Sequence, residues 1–121
     1  MQPTTTDAFN PRLDTATAYA ARLFVQSAGR RYPLRAALLF GSRARGKFRP
    51  DSDADIAVLL DGNRRPFLQT KLELADLAYD VLLETGIHIQ AFPLWAEDWE
   101  HPETFSNPRL IENIRREGIP L

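Results

Sequence analysis

Residues 38–60, LLFGSRARGKFRPDSDADIAVLL, constrain the fold of this chain more than any other segment. Two short apolar runs, at 34–40 and 55–60, flank a loop that is rich in glycine, proline and basic residues. Apolar runs of this length, bounded by turn residues, are typical of buried strands. We therefore expect two strands here, connected by a basic loop with a helical turn near residues 43–47.

Apolar residues at helical spacing predict further elements on both sides of this segment. One helix is expected to begin at Asn10-Pro11 and to end at Arg31, and a second to run from Pro66 to Gly86. In the second helix we expect a buried stripe that consists of Leu68, Leu72, Ala75, Tyr79 and Leu82, widened by Leu74, Ala78 and Val81.

Residues 87–94 predict a third strand, and residues 107–117 predict a closing helix. The resulting element order is α-β-loop-β-α-β-α, which alternates helices with short strands. This order predicts an α/β (α+β) fold in which helices flank a small mixed sheet.

The composition indicates a single globular domain over residues 1–121, with a flexible tail at 1–10. The chain has no cysteine, which excludes disulfides, thiolate catalysis and cysteine–zinc sites. No apolar run approaches the ~20 residues of a bilayer span, and the N-terminus does not resemble a signal peptide. We therefore expect a cytoplasmic protein with no membrane partner. A formal charge of −1 does not favour direct binding to nucleic acid.

Asp53 and Asp55 are the candidate catalytic and metal-binding residues. Side chains alternate along a strand, so both carboxylates are expected on one side, about 7 Å apart along the chain. Two such carboxylates repel each other unless a cation lies between them, and Mg²⁺ accepts carboxylate oxygens together with water and phosphate oxygens. The pair therefore predicts a magnesium site.

The turn at Gly41 and Ser42 is the candidate phosphate-binding element. Glycine allows a sharp turn after a buried strand, and the backbone N–H groups that follow it are able to hold a phosphate. The hydroxyl of Ser42 is a further donor, and Arg43, Arg45 and Lys47 add positive charge. A phosphate-binding turn opposite a metal-binding acid pair is the apparatus of phosphoryl or nucleotidyl transfer.

Each of these features also has an ordinary structural interpretation. An Asp-x-Asp pair before a strand is more often solvated or turn-forming, and a Gly-Ser pair after a strand is most often only a turn. Basic residues in a loop usually form a solvated face. The order and close spacing of all three within one segment favour the catalytic interpretation.

Gly41-Ser42, a spacer of ten residues and Asp53-Ala54-Asp55 resemble the signature of the DNA polymerase beta-like nucleotidyltransferase superfamily. The longer segment GSRARGKFRPDSDADIAV, residues 41–58, is most similar to the minimal nucleotidyltransferases. The resemblance covers residues 20–94 as an element order, and the tail NPRLIENIRREGIPL also resembles the usual ending of these proteins. Many of them are antitoxins of HEPN-domain ribonuclease toxins.

The resemblance implies a role for each matching residue. Gly41 and Ser42 would hold the β- and γ-phosphates of ATP, with Arg43 and Arg45 as further nucleotide-binding residues. Asp53 and Asp55 would hold Mg²⁺, and Ser52 would support their geometry at the nucleotide. The implied reaction transfers AMP to a tyrosine hydroxyl of a HEPN-type ribonuclease toxin, which silences the toxin.

One feature of the superfamily is missing from the sequence. A third carboxylate usually lies on the next strand, but residues 87–94 contain no acid. His88 and Gln90 are the candidates at this position, although a lone histidine in a strand is most often structural. The chain is therefore expected to use one metal, a base such as His88, or weakened chemistry.

Two alternatives to protein adenylylation stay open at this level. The chain is either an antitoxin that neutralises its toxin by binding alone, or a nucleotidyltransferase that acts on a small molecule. The missing third acid favours the first alternative, whereas a small-molecule enzyme generally needs an added domain or a dimer to shape its acceptor pocket. An oligomer is possible, but nothing in the sequence fixes it.

Overall fold

A computed structural model describes residues 13–121 of the chain. The predicted tail at 1–10 and the predicted helix start at Asn10-Pro11 lie outside the described residues. The first described helix, α1 (Thr15–Arg31), begins after Asp14, whose carboxylate accepts hydrogen bonds from the backbone N–H and the hydroxyl of Thr17. It ends before Tyr32, which is extended because a proline follows it.

The remaining elements follow the predicted order. They are β1 (Leu34–Phe40), α2 (Ser42–Arg45), β2 (Ala54–Leu60), α3 (Phe67–Thr85), β3 (Ile89–Trp95), α4 (Ala96–Glu100), a 3₁₀ turn (Pro102–Thr104), α5 (Pro108–Glu117) and β4 (Ile119–Pro120). β1 has the predicted bounds, β2 begins one residue earlier than predicted and β3 begins two residues later. The two-residue strand β4 was not predicted.

The strands form one mixed sheet in the order β3-β2-β1-β4, which confirms the predicted fold class. β1 and β2 are antiparallel, and Phe40 at the end of β1 lies opposite Asp55 at the start of β2. β2 and β3 are parallel, and Gln90 lies beside Asp55. The sheet therefore brings the Gly-Ser turn, the acid pair and the start of the third strand to one end.

Helices cover both faces of the sheet. β2 alternates between them, because Ile56 and Val58 pack with α1 and α3, whereas Ala57 and Leu59 pack with α5. A central strand that is buried on both faces reads as a continuous apolar run, as residues 56–60 do. Asp55 stands on the same side of β2 as Ala57, so its carboxylate belongs to the face that α5 covers.

The predicted buried stripe of α3 is wrong in its main residues. Leu68, Leu72 and Tyr79 are exposed, and the helix instead buries Thr70 together with the residues expected only to widen the stripe, Leu74, Ala78 and Val81. The two sets lie on different faces of the same helix, and helical spacing alone does not tell which face meets the sheet. The structure therefore leaves an apolar row of α3 in solvent.

Within residues 13–121, no helix combines the length and the apolar character that crossing a membrane requires.

Candidate active site

Gly41 forms the sharp turn between β1 and α2. Its φ of 79° lies in the left-handed region, which residues with a Cβ rarely adopt. A Cβ at this position would also lie 2.3 Å from Oδ2 of Asp55, far inside contact distance. The absence of a side chain therefore allows the turn to form and allows the Asp55 carboxylate to lie against the backbone.

Ser42 opens the single helical turn α2, close to the predicted position. The carbonyl of Gly41 accepts from the N–H groups of Ala44 and Arg45, both at 3.1 Å, and Gly46 ends the turn in the left-handed conformation. The first N–H groups of a helical turn have no partner within it. The N–H groups of Ser42 and Arg43 therefore have no acceptor within this turn, which begins at Gly41 beside Asp55.

Arg43 is buried, with 3% of its surface exposed. Its guanidinium donates to the carbonyls of Pro50 and Ser52, both at 2.9 Å, and to the hydroxyl of Thr17 at 2.8 Å. It also lies 4.5 Å from the ring centre of Phe48. These contacts connect the loop after α2 to the start of α1. The donors of the side chain are therefore used to stabilise the loop.

Ser52 completes the same loop. Its hydroxyl accepts from the N–H of Arg49 at 3.0 Å, and its own N–H donates to the carbonyl of Arg49 at the same distance. Because its carbonyl is the acceptor for Arg43, Ser52 is held on three sides. This bonding fixes the backbone one residue before Asp53.

Asp53 and Asp55 flank Ala54, which is fully buried in the core between the sheet and the helices α1 and α3. The alternation of side chains along β2 places Asp55 on the opposite side, and Asp53 lies close enough for its charge to act on Asp55. Asp53 lies just outside β2 and its side chain is 44% exposed. Asp55 lies within the strand and is half-buried.

The charges around Asp55 perturb its titration. Burial raises the pKa of the Asp55 carboxyl above its ordinary value, and the charge of Asp53 raises it further. Glu117 acts in the same direction, whereas Arg45 and His88 oppose the rise. The net direction is upward, so burial and the neighbouring acids outweigh the two cations at Asp55.

The two residues proposed for the third-strand position both lie beside the acids. Nδ1 of His88 is 3.2 Å from Oδ1 of Asp53, and the His88 carbonyl accepts from the N–H of Ala54 at 2.9 Å. Gln90 is the sheet neighbour of Asp55. The superfamily signature usually has a carboxylate on this strand. In this chain the imidazole of His88 lies beside Asp53, and Gln90 lies beside Asp55.

Glu117 is a site residue that the sequence interpretation missed. Its Oε1 accepts from the N–H of Gly41 at 3.1 Å and pairs with Nη1 of Arg45 at 3.1 Å. Its side chain is 21% exposed, and it lies at the end of α5, 76 residues from Gly41. The signal in the sequence was indirect, since Glu117 belongs to the tail that resembles the usual ending of minimal nucleotidyltransferases.

The carboxylates of Asp53 and Asp55 suit a divalent cation whose coordination is completed by oxygens of a bound substrate. Within residues 13–121, no group of three or more His, Cys, Asp and Glu side chains is close enough to enclose a metal. Asp53 and Asp55 nevertheless supply hard oxygen donors, and Mg²⁺ is usually held by one or two carboxylates together with substrate phosphates. Burial, and after it the charge of Asp53, raise the pKa of Asp55, and a bound cation would offset both effects. The residues therefore fit the predicted ion.

The family profile described as "Polymerase beta, Nucleotidyltransferase" matches residues 25–98, which is more than half of the chain. The chain therefore belongs to the polymerase beta nucleotidyltransferase family. The matched region contains the Gly41 turn, both acids and the start of β3. No curated protein matches the chain.

Two solved structures are similar to the chain in fold. A chain from a tyrosine-to-alanine mutant of the toxin–antitoxin pair MntA–HpeT aligns over 84% of this chain and 69% of its own length, with a TM-score of 0.55 and 20% identity. A proposed nucleotidyltransferase from Sulfolobus solfataricus aligns over 88% of this chain and 86% of its own, with a TM-score of 0.50 and 17% identity. At such identities the likeness concerns the fold alone.

Proposed function

We propose that this chain is an antitoxin enzyme that transfers AMP from ATP to a hydroxyl of a partner protein, a tyrosine of a HEPN-type ribonuclease toxin. The observation that carries the proposal is the contact between the Gly41 turn and Asp55, with Asp53 at the open edge. Phosphate-binding donors and a pair of acids then converge on one small volume, as nucleotidyl transfer requires. Family membership and the fold of the MntA–HpeT chain support the same class.

The proposal assigns the nucleotide to the mouth of the site. The free N–H groups at the start of α2 and the hydroxyl of Ser42 bind phosphate oxygens, and Arg45, which is 52% exposed, adds charge. Asp53 and Asp55 would hold Mg²⁺, which when bound neutralises phosphate charge. Arg43 and Ser52 act one step further away, because both hold the loop that sets the position of Asp53.

The proposed reaction needs only ATP and the acceptor hydroxyl as reactants. The acceptor oxygen forms a bond to the α-phosphorus, the bond from that phosphorus to the oxygen that bridges it to the β-phosphate breaks, and pyrophosphate leaves. The hydroxyl proton passes to water at the edge of the site, where the side chains of Asp53 and His88 are 44% and 51% exposed. The chain contributes by positioning the two reactants.

A second candidate function is neutralisation of the toxin by binding alone. The specific observation in its favour is the third-strand position, where Gln90 rather than a carboxylate lies beside Asp55. A site with two acids in place of three has fewer oxygens for a second metal ion. In this alternative the acids are remnants and the fold serves only as a binding surface.

The experiment takes a HEPN-type ribonuclease toxin, the partner proposed here, and measures its intact mass after incubation with the chain, ATP and Mg²⁺. The proposal predicts mass added in AMP units by the wild type and by Asp51→Asn, a matched control two residues before the site. Asp53→Asn is expected to add none. Unmodified toxin whose ribonuclease activity is still suppressed would establish binding alone, and unmodified, active toxin would redirect the search to small-molecule acceptors.

A further inference from the structure

The outer side of α3 carries a row of apolar side chains that the fold does not cover. We define the α3 apolar face as Leu68, Leu72, Ala75, Tyr79 and Leu83. Its four large members are between 56% (Tyr79) and 68% (Leu83) exposed. Contiguous apolar surface of this kind usually marks a place where another molecule binds.

The spacing of the α3 apolar face matches the contact row of a helix that packs against another helix. Its members follow at intervals of four, three, four and four residues, which keeps them on one side of a helix with 3.6 residues per turn. The row extends over roughly 22 Å at 1.5 Å per residue. This length suits an amphipathic helix laid along α3, which is a common mode of recognition.

One flank of the α3 apolar face is acidic. Asp76, Asp80 and Glu84 are exposed and follow at intervals of four, so they form a row beside the apolar one. None of the ion pairs formed within the described part of the chain uses any of the three. The opposite flank carries Lys71, whose ammonium lies 4.4 Å from the ring centre of Phe92.

This charge pattern favours a different partner over a second copy, because Lys71 is the only basic residue that this helix of a second copy could offer to three acids. In an antiparallel two-fold pair of α3 helices, each flank meets the same flank of its copy. The row of Asp76, Asp80 and Glu84 would then face itself, and like charges opposed in this way are destabilising. A helix with lysine or arginine along the matching flank would instead pair with all three acids.

We infer that the α3 apolar face is the docking surface for an amphipathic helix of a partner protein, with basic residues along the flank that meets Asp76, Asp80 and Glu84. The surface adjoins the candidate site on its Lys71 side. A cleft lined by Lys71, Ala75 and residues 88–91 connects the face to His88, which contacts Asp53. A helix docked on α3 would therefore bring its protein to the exposed edge of the site at His88 and Asp53, a step that rests on the proposed function.

The test uses two synthetic amphipathic helices of about 20 residues as probes. Both carry leucine along one face, and they differ only in the flank that would meet the acidic row, which is lysine in one and glutamate in the other. Binding of the labelled peptides is followed by fluorescence anisotropy at low and high salt. We expect the lysine peptide to bind at least tenfold more tightly than the glutamate peptide, and we expect salt to reduce this difference.

Variants of the chain then locate the binding surface. Leu72→Ser with Leu83→Ser is expected to weaken the lysine peptide at least tenfold, whereas Tyr19→Ser, an exposed aromatic on α1, leaves it unchanged. Asp76→Asn with Asp80→Asn is expected to remove most of the preference for lysine. Thermal melting followed by circular dichroism checks that each variant keeps its fold.

Three results would overturn the inference. They are equal binding of the two peptides, wild-type binding by the Leu72→Ser, Leu83→Ser variant, and a dimer in sedimentation velocity that this variant dissociates, which would make a second copy the occupant. Nucleotide binding, measured separately, keeps this test distinct from the proposed function. A chain that binds Mg²⁺–ATP but not the lysine peptide refutes the docking surface alone, and the reverse refutes the nucleotide site alone.

Discussion

A methyl group on Gly41 would lie 2.3 Å from Oδ2 of Asp55. The Asp55 carboxylate therefore occupies the space that a side chain at position 41 would need, although Gly41 follows β1 and Asp55 lies in β2. Antiparallel pairing of β1 and β2, with Phe40 opposite Asp55, creates this contact. The ten residues between Ser42 and Asp53 form the loop that lets the chain return to the same end of the sheet.

Gly41→Ala is expected to lower the free energy of unfolding by about 2–4 kcal/mol, because it combines a strained φ with a clash against Asp55. Gly46→Ala is the matched control, since Gly46 has a φ of 76° but no atom within 4 Å of the position that a Cβ would take. We expect only the backbone term there, about 1 kcal/mol. Urea denaturation measures both, and equal losses would show that the contact with Asp55 has no energetic weight.

Asp55→Asn is expected to raise the melting temperature of the chain at pH 7 by about 1–3 °C, in the absence of metal and nucleotide. Because the folded-state pKa of Asp55 lies above its ordinary value, the folded chain loses stability as pH rises through that interval. The penalty is full above the folded-state pKa and absent well below the ordinary pKa, so the gain from asparagine should shrink as the pH is lowered. A lower melting temperature at pH 7 would make Asp55 a structural residue.

Glu117→Gln is expected to strengthen binding of a non-hydrolysable ATP analogue by about three- to tenfold. Glutamine keeps an acceptor for the N–H of Gly41 but removes the charge that pairs with Arg45 and repels phosphate. Glu112→Gln, at an exposed position of the same helix, should leave the affinity unchanged. Isothermal titration calorimetry decides the sign, and weaker binding would make Glu117 part of the ligand set.

Arg43→Lys is expected to cost about 2–4 kcal/mol of unfolding free energy, because an ammonium does not reproduce the three-way bonding of a buried guanidinium. Arg45→Lys, at the exposed end of the same turn, should change stability by less than about 0.5 kcal/mol. Urea denaturation compares the two. A stable Arg43→Lys variant with weakened ATP binding would show that Arg43 binds the nucleotide, as the sequence predicted.

The strands and the acid pair of residues 38–60 could be predicted because they depend on residues that are close together in the sequence. An apolar run that ends at a glycine predicted β1 with its observed bounds, and the Asp-x-Asp pattern predicted two acids on one side of β2. The helix α3 was predicted, and so was the burial of Leu74, Ala78 and Val81, but the main row of the predicted stripe lies on the exposed side. Two apolar rows share that helix, and the choice between them depends on how it packs against the sheet.

The contacts of Glu117 and Arg43 could not be predicted from local sequence patterns. Glu117 meets Gly41 only because β4 pairs with β1 and returns the end of α5 to the turn. Three basic residues of the loop looked alike in the sequence, yet Arg43 is buried among carbonyls while Arg45 and Lys47 are exposed. Such differences arise from contacts between distant segments, and spacing along the chain does not encode them.

The proposed nucleotide site is tested most directly by the Mg²⁺-dependent affinity for an ATP analogue with a methylene bridge between the α- and β-phosphates. This affinity is compared among the wild type, Asp51→Asn and Asp53→Asn. The analogue binds without turnover, so the measurement needs no partner protein. We expect Mg²⁺-dependent binding by the wild type and by Asp51→Asn, and at least tenfold weaker binding by Asp53→Asn. Equal affinities for all three, or binding that is indifferent to Mg²⁺, would contradict the proposed site.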